Sequence, residues 1–215
     1  MFRSLLILPA FIALSYGLIF AVDSSELVSE AIYKKALGEG FTKAIIRGYE
    51  EACGVGGEVD PNFVPSYNNA RAAGYTNIDT YWFPCNGSGH KCKSYSTQIS
   101  ELGAAFKAHS MDIGTIWIDL EKDSICNNVS YMTYEPQIQV VASTWYLYLQ
   151  WNYGTSGNIN QARSMITAIK NSGFKFGIYS SPGVSNSNQI FTSQMKLIIK
   201  SGMERYFWVR EFQSR

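Results

Sequence analysis

The chain has 215 residues, a formal net charge of +1 and an aromatic content of 14%. This length is sufficient for one domain with a hydrophobic core. A nearly neutral chain offers no bulk electrostatic attraction to nucleic acid or to an anionic membrane surface. No Gly-x-Gly-x-x-Gly follows the first predicted strand and no Walker pattern occurs, so a nucleotide-binding protein has no support either.

Residues 1–21 predict a secretory signal peptide. Arg3 supplies the positive start, residues 5–20 are apolar, and the small Ala21 ends the segment, although Ile19 is larger than the residue preferred there. A membrane anchor is the alternative, but the apolar run is short for a span and a strand-like segment follows at once. We therefore expect a protein that is secreted or delivered to an endolysosomal or phagosomal lumen, with no membrane partner after signal cleavage.

The chain contains an even set of cysteines, Cys53, Cys85, Cys92 and Cys126. In a secreted protein such a set predicts disulfides, and four cysteines allow three pairings. Cys85 and Cys92 flank a glycine-rich loop and are the favoured local bridge, which leaves Cys53 for Cys126. Metal binding is the weaker interpretation, because the spacings are not the usual short pairs and His90 is the one nearby imidazole.

Two Asn-x-Ser sequences begin at Asn86 and Asn128. In a secreted chain both asparagines are candidate glycosylation sites.

Strand and helix signals alternate along the chain. The predicted strands cover residues 21–25, 42–49, 76–83, 114–121 and 174–180. The predicted helices cover residues 26–37, 61–73, 95–109 and 158–172. Apolar strand centres separated by helices predict a parallel sheet. An open doubly wound sheet and a (β/α) barrel both fit this pattern, and acids near the ends of several strands favour the barrel.

The fourth predicted strand ends with two acids, Asp119 and Glu121. Side chains alternate along a strand, so both acids lie on one face, about 6.6 Å apart, and Leu120 lies on the other. This separation suits two carboxylates that act on a sugar bond, and the nearby like charge raises one pKa so that a general acid stays protonated. The alternative is an ordinary charged strand end, with Lys122 as a partner.

Further acids lie in the first and third predicted strands, at Asp23 and Asp79. Each could instead cap a helix or lie in a loop. If these strands and the fourth strand end at one rim, their acids converge there, and convergence points to a catalytic site. Tyr81 shares the face of Asp79, and Trp117 shares the face of Asp119, so both are candidate sugar-binding residues. Trp82 points the other way and is predicted to pack in the core.

Several motifs occur in a characteristic order, namely Val22–Ser25, Ala44–Tyr49, Val59–Asn62, Asp79–Cys85, Ile116–Glu121 and Gly177–Ser181. They resemble the secreted lysozymes of glycoside hydrolase family 25, especially the branch found in amoebae and nematodes. The resemblance covers residues 22–183, apart from residues 129–150.

The resemblance implies a flattened (β/α), TIM-like barrel that cleaves the β-1,4 bond between N-acetylmuramic acid and N-acetylglucosamine in peptidoglycan, with retention of configuration. It assigns Glu121 as proton donor and Asp119 as the acid that stabilises positive charge or orients the substrate acetamido group. Asp23 and Asp79 match further acids of the family, and Tyr179 joins the sugar-binding candidates. Neither a metal nor another cofactor is implied, and a monomer is expected.

Two segments depart from the resemblance, residues 129–150 and residues 184–215. The first lies where the family would continue directly, and its codons are compatible with an intron that begins with GT and ends with CAG. For residues 201–210, one choice of codons read in another frame encodes a missing family segment. We interpret both as translated intron sequence, the alternative for 129–150 being a true insertion. No strand is predicted in 184–215, so we expect a barrel that is incomplete at its carboxyl-terminal side.

Two other functions fit the same residues. An incomplete barrel could bind glycans without cleaving them. A chitinase-like hydrolase also uses Asp-x-Glu, but the longer acidic run expected before that motif is replaced here by Thr115, Trp117 and Ile118.

Overall fold

The computed structural model describes residues 19–52, 54–87, 91–120 and 153–179, together with the backbone of a strand at 207–211. The described strands are β1 (Phe20–Ser24), β2 (Phe41–Glu50), β3 (Glu58–Val59), β4 (Ile78–Trp82), β5 (Ile116–Asp119), β6 (Phe176–Tyr179) and β7 (Phe207–Glu211). The described helices are α1 (Glu30–Gly38), α2 (Phe63–Ala73), α3 (Tyr95–Ala108) and α4 (Gly154–Ser172).

The strands form one mixed sheet in the order β6-β5-β4-β2-β1-β7, with β3 added beside β2. All neighbours along this path are parallel, and only the short β3 runs antiparallel to its partner. The α/β class and the parallel sheet predicted from the sequence are therefore confirmed. Among the described residues the path ends at β6 and β7 without a pairing between them, so they form an α/β sheet of barrel-like connectivity and not a closed barrel.

The strand β7 corrects the expectation that residues 184–215 hold no strand. Residues 207–211 pair in parallel with β1, with Phe207 opposite Phe20 and Trp208 opposite Ala21. The aromatic and β-branched residues Phe207, Trp208 and Val209 favour a strand. Five residues are too few to show a clear alternation, and the pairing partner lies at the far end of the chain, so the sequence pattern alone did not reveal it.

The two faces of the sheet have different environments. Alternate strand residues pack against the helices and form the main core, which includes Val22, Ala44, Ile46, Ile78, Trp82, Ile116, Ile118 and Leu120. The intervening residues Ala21, Ile45 and Trp117 form a second, smaller cluster against which Tyr81 packs. We call the face with this second cluster the inner face. The predicted orientations of Leu120 and Trp82, away from this face, are confirmed.

Helix boundaries follow local capping chemistry. The Ser29 side chain accepts a hydrogen bond from Ile32 N at the start of α1, and α2 and α4 end at Gly74 and Gly173 in the left-handed conformation that glycine adopts readily. The first helix begins at Glu30 and not at Glu26 as predicted. Tertiary contacts explain the delay, because Ser66 and Asn69 of α2 bind the backbone of Val28.

A disulfide joins Cys85 to Cys92, as predicted, with Cα atoms 5.5 Å apart. The predicted pair Cys53 and Cys126 lies outside the described residues. The buried amide of Gln98 anchors the start of the bridged loop, since it accepts from Cys85 N at 3.1 Å and donates to the Cys85 carbonyl at 3.1 Å. The same amide also donates to the Lys93 carbonyl, just beyond the bridge.

Among the described helices none is both long and apolar enough to cross a membrane. Residues 1–18, which carry most of the predicted signal peptide, lie outside the described part of the chain, as do residues 121–152, which contain the predicted insert.

Candidate active site

Two predicted catalytic acids lie near the carboxyl ends of strands that are not neighbours. Asp23 is the next-to-last residue of β1 and Asp119 is the last residue of β5. The strands β2 and β4 lie between them in the sheet. Asp119 is 9% exposed and Asp23 is half-buried, so both side chains are largely shielded from solvent.

The charges of these two acids act on the phenol of Tyr81. Burial raises the pKa of Tyr81 most, and the negative charges of Asp23 and Asp119 raise it further, while the charge of Arg47 lowers it. Asp23, Tyr81 and Asp119 thus lie on the inner face, in the carboxyl-terminal halves of β1, β4 and β5, and the two acids act electrostatically on the phenol.

An ion-pair cluster at the end of β2 borders this site. Arg47 donates from Nε to Asp60 Oδ2 at 2.5 Å and from Nη2 to Glu50 Oε2 at 2.8 Å. Burial is the largest single influence and acts to lower the pKa of Arg47, but the hydrogen bond and charge of Asp60, together with Tyr81 and Glu50, outweigh it, so the pKa is raised. Burial also raises the pKa of Glu50, and Arg47 opposes that rise. Asp60 additionally accepts from Asn62 N at 2.7 Å, which secures the start of α2.

This cluster was not identified from the sequence as part of a site. Arg47 and Asp60 appeared only within motifs that carried the family resemblance. The available signal was Arg47 directly after the apolar run Ala44–Ile46, because a charged residue beside such a run requires a partner when it is buried.

Asp79 lies on the inner face, across β2 from Asp23. It is the second residue of β4, near the amino end of the strand, and it is fully buried. Its carboxylate accepts hydrogen bonds from Lys43 Nζ at 2.7 Å and from Trp117 Nε1 at 2.9 Å on Oδ2, and from Thr115 N at 3.0 Å on Oδ1. Asp79 lies opposite Ile45 of β2, as Asp23 does on the other side of that strand, so these two acids stand at one level of the sheet, and the charge of Asp79 is compensated within the core. The catalytic role of Asp79 stays a prediction.

The candidate sugar-binding residues lie at different depths. Trp117 is only 7% exposed, and its six-membered ring lies so close to Gly177 that a Cβ there would clash with the ring carbons. It forms part of the floor of the inner face. Tyr179, the last residue of β6, is half-buried and pairs with Asp119 across the two strands. The carbonyl of Tyr179 also accepts from Leu120 N at 3.0 Å.

The remaining predicted site residues are either buried or outside the described part of the chain. Asn86 is 2% exposed, and its glycosylation stays a prediction. Glu121 and Asn128 lie outside the described residues, Glu121 directly after the last described residue of this segment, Leu120.

Most glycoside hydrolases cleave sugar bonds with a pair of acidic side chains, and in (β/α) barrels the catalytic residues lie at the carboxyl ends of the strands. Comparison with known proteins gives the family. The model of the family described as lysozyme-like protein 1 matches residues 15–146. The chain is 30% identical to a probable GH family 25 lysozyme 4 of Dictyostelium discoideum, over 83% of this chain and 69% of that protein.

Two further relatives match about half of the chain and are also named as lysozymes or lysozyme-like proteins. The chain is 34% identical to a probable GH family 25 lysozyme 2 of Dictyostelium discoideum, over 48% of this chain and 45% of that protein. It is 36% identical to a lysozyme-like protein 5 of Caenorhabditis elegans, over 47% of this chain and 44% of that protein. No solved structure matches the chain. The chain belongs to the glycoside hydrolase family 25 lysozymes.

Proposed function

We propose that this protein is a secreted or endolysosomal lysozyme, active as a monomer, that hydrolyses the β-1,4 bond between N-acetylmuramic acid and N-acetylglucosamine in bacterial peptidoglycan. Family membership supports the reaction class. The observation that supports the proposal is that Asp23 of β1 and Asp119 of β5 lie on one face of the parallel sheet, in the carboxyl-terminal halves of their strands, and that both charges act on the phenol of Tyr81. Such a group of carboxylates suits a reaction that develops positive charge on a sugar ring.

In the proposed mechanism Glu121 protonates the leaving oxygen. It follows Asp119 by two residues, and a strand that continued past Asp119 would put both side chains on one face. Asp119 and Asp23 are then the anions that stabilise the positive sugar ring or orient the substrate acetamido group. Their charges also favour the protonated form of a neighbouring carboxyl, which is the form that a general acid needs.

Tyr81 is proposed as a hydrogen-bond donor to an acid or to the sugar. Because burial and the two acids raise the pKa of Tyr81 above its ordinary value, the phenol keeps its proton at every physiological pH. Tyr179 is proposed to line the same site, since it lies beside Asp119 at the end of β6. No metal or organic cofactor enters this mechanism.

The test is hydrolysis of purified peptidoglycan by the full chain, followed by the release of reducing sugar. We expect activity in the native protein and a loss of at least about 100-fold in Glu121→Gln, because general acid catalysis alone contributes about that much. Asp119→Asn and Asp23→Asn are expected to lower kcat as well. Asp112→Asn is the matched control, since Asp112 is an exposed acid outside the group at Tyr81.

The same assay separates the other interpretations. A folded native chain that releases no sugar contradicts the proposal. Retention on peptidoglycan that survives Glu121→Gln, without sugar release, would instead indicate glycan binding without cleavage. Faster hydrolysis of chitin than of peptidoglycan would indicate a chitinase-like enzyme.

A further inference from the structure

A buried charged cluster lies beside the candidate active site, on the same face of the sheet. It consists of Lys43, Asp79, Thr115 and Trp117, and we refer to it as the Asp79 cluster. Lys43 belongs to β2, Asp79 to β4 and Trp117 to β5, and Thr115 directly precedes β5. A single carboxylate therefore connects three adjacent strands near their amino ends.

The bonds of Asp79 leave no room for a substrate. Its side chain is 1% exposed, and that of Lys43 is 5% exposed. One oxygen accepts from Lys43 and Trp117, and the other accepts from the Thr115 amide. A general acid or base must come within hydrogen-bond distance of the reacting atoms, and a carboxylate enclosed in this way does not. Asp79 must affect the reaction, if at all, through the groups that it holds.

One group held by Asp79, the Trp117 indole, lies on the same strand as the candidate catalytic acid Asp119. Trp117 precedes Asp119 by two residues on β5, so both side chains lie on the inner face. Beyond Asp79 the indole continues over Gly177 of β6, where a Cβ would clash with the ring. The indole therefore spans the distance between β4 and β6, and its N–H is oriented by the carboxylate of Asp79.

The backbone before β5 is also held close to Asp79. A Cβ added to Gly114 would lie 2.7 Å from Asp79 Oδ1, and the next amide, Thr115 N, donates to that oxygen. A glycine is needed at this position because the chain passes so near the carboxylate. The start of β5 is thus fixed by the same side chain that orients Trp117.

We propose that Asp79 is a positioning residue for the hydrolysis, which holds β5 and the Trp117 indole so that Asp119 reaches the sugar in a fixed orientation. The inference rests on the proposed function, and it assigns to Asp79 a role other than acid catalysis. Lys43 supplies the compensating charge that allows an ionised carboxylate to serve as this buried acceptor.

A double-mutant cycle on kcat tests the inference. Asp79→Asn and Trp117→Phe are each expected to lower kcat by roughly 10- to 100-fold, because small misplacements of catalytic groups cost that much. We expect KM to change little and both limbs of the pH–rate profile to remain. The double variant should be about as active as the slower single variant, since both substitutions break one connection. If the double variant lost kcat by the product of the two single losses, the inference would be overturned. Loss of one limb of the pH–rate profile in Asp79→Asn would overturn it as well.

A readout that needs no activity keeps this test separate from that of the proposed function. The indole N–H resonance of Trp117, assigned by its absence in Trp117→Phe, should shift in Asp79→Asn together with the backbone amide resonance of Asp119. An unmoved Asp119 resonance overturns the inference even if the enzyme is active. Shifts of both resonances support the positioning of β5 even if the native chain releases no sugar. Asp112→Asn is the control that should leave both resonances unchanged.

The variant Asp79→Asn leaves the buried charge of Lys43 without its counterion, which could prevent folding. The double variant Lys43→Met/Asp79→Asn removes both charges and keeps one amide oxygen, which accepts from Trp117 or from Thr115 but not from both, because these donors bind different oxygens of Asp79. We expect it to be folded and at least as active as Asp79→Asn. A folded double variant whose Asp119 resonance and kcat match those of the native chain would overturn the inference, because the ionised carboxylate would then be dispensable.

Discussion

Lys43 Nζ lies 2.7 Å from Asp79 Oδ2, and both side chains are almost completely buried. Removing one member of such a pair leaves a charge in the core without its counterion. We therefore expect Lys43→Met to lower the free energy of unfolding by about 3–5 kcal/mol. Urea denaturation followed by circular dichroism measures the change.

The matched control for this prediction is Lys34→Met. Lys34 pairs with Glu30 one helical turn away, but its side chain is 60% exposed. Exposed pairs of this spacing contribute about 0.5 kcal/mol or less. If Lys43→Met were no more destabilising than Lys34→Met, the buried pair would not matter for folding.

Gln98 is the second buried polar group with a large expected effect. Its amide oxygen accepts from Trp82 Nε1 and from Cys85 N, both at 3.1 Å. Gln98→Leu removes this acceptor and leaves two buried donors without it. We expect a loss of about 2–4 kcal/mol in the free energy of unfolding, because each unsatisfied buried group costs about 1–3 kcal/mol.

Thermal and urea denaturation under non-reducing conditions measure the effect of Gln98→Leu with the disulfide intact. Ser96→Ala serves as the control, since Ser96 lies in the first turn of the same helix and is exposed. Its effect should stay within about 0.5 kcal/mol. Equal effects of the two substitutions would contradict the role given to Gln98.

The alternation of strand residues predicts faces well and positions along the strand poorly. It put Asp119 and Trp117 on one face and Leu120 on the other, as observed. It could not show that Asp79, on the same face as Tyr81, lies at the buried amino end of β4. That position depends on Lys43, which is 36 residues away and becomes a neighbour only when β2 and β4 pair.

Long-range partners also explain the other differences from the sequence-based expectations. The start of α1 is delayed by contacts from α2, and β7 is a strand through its pairing with β1. The parallel sheet was predictable because it follows from local periodicity and the order of elements. The role of Gln98 was not predictable, because nothing in the sequence distinguishes a helical glutamine whose amide binds a loop from one that is exposed.

Gly177 is a position where a single methyl group should disturb the site. A Cβ added there would approach the Trp117 ring too closely to be tolerated without a shift of the indole or of the backbone. Gly177→Ala is expected to displace the indole, to lower the free energy of unfolding by about 1–3 kcal/mol and to shift the tryptophan emission spectrum. Fluorescence-detected urea denaturation records both quantities.

Gly38→Ala is the control for this substitution, because nothing lies within 4 Å of a Cβ at that position. It should leave emission unchanged and stability the same or slightly higher, as alanine is the better helix former. Adding Trp117→Phe should reduce the penalty of Gly177→Ala. An unchanged emission spectrum in Gly177→Ala would mean that the ring does not occupy this place.

The buried Tyr33 is expected to make the free energy of unfolding fall as the pH rises above 10. Burial raises its pKa from 10.0 to about 12, although the bond to Ser24 acts in the opposite direction. A raised folded-state pKa means that the stabilisation is complete below the unfolded value, near pH 10, and is lost as pH rises toward 12. Two pKa units correspond to about 2–3 kcal/mol. We expect the native chain to lose that much more stability than Tyr33→Phe between pH 10 and pH 12.

The measurement is the free energy of unfolding of both proteins across this pH range. Tyr75, whose ring contacts Tyr33 edge to face, also has its pKa raised to about 12 by burial, but it titrates in both proteins and its contribution largely cancels in the difference. Ser24→Ala is the control, because it removes the hydrogen bond at 3.2 Å and keeps the phenol, so the alkaline loss should persist. Parallel pH profiles for the native chain and Tyr33→Phe would show that Tyr33 ionises without opposition from burial.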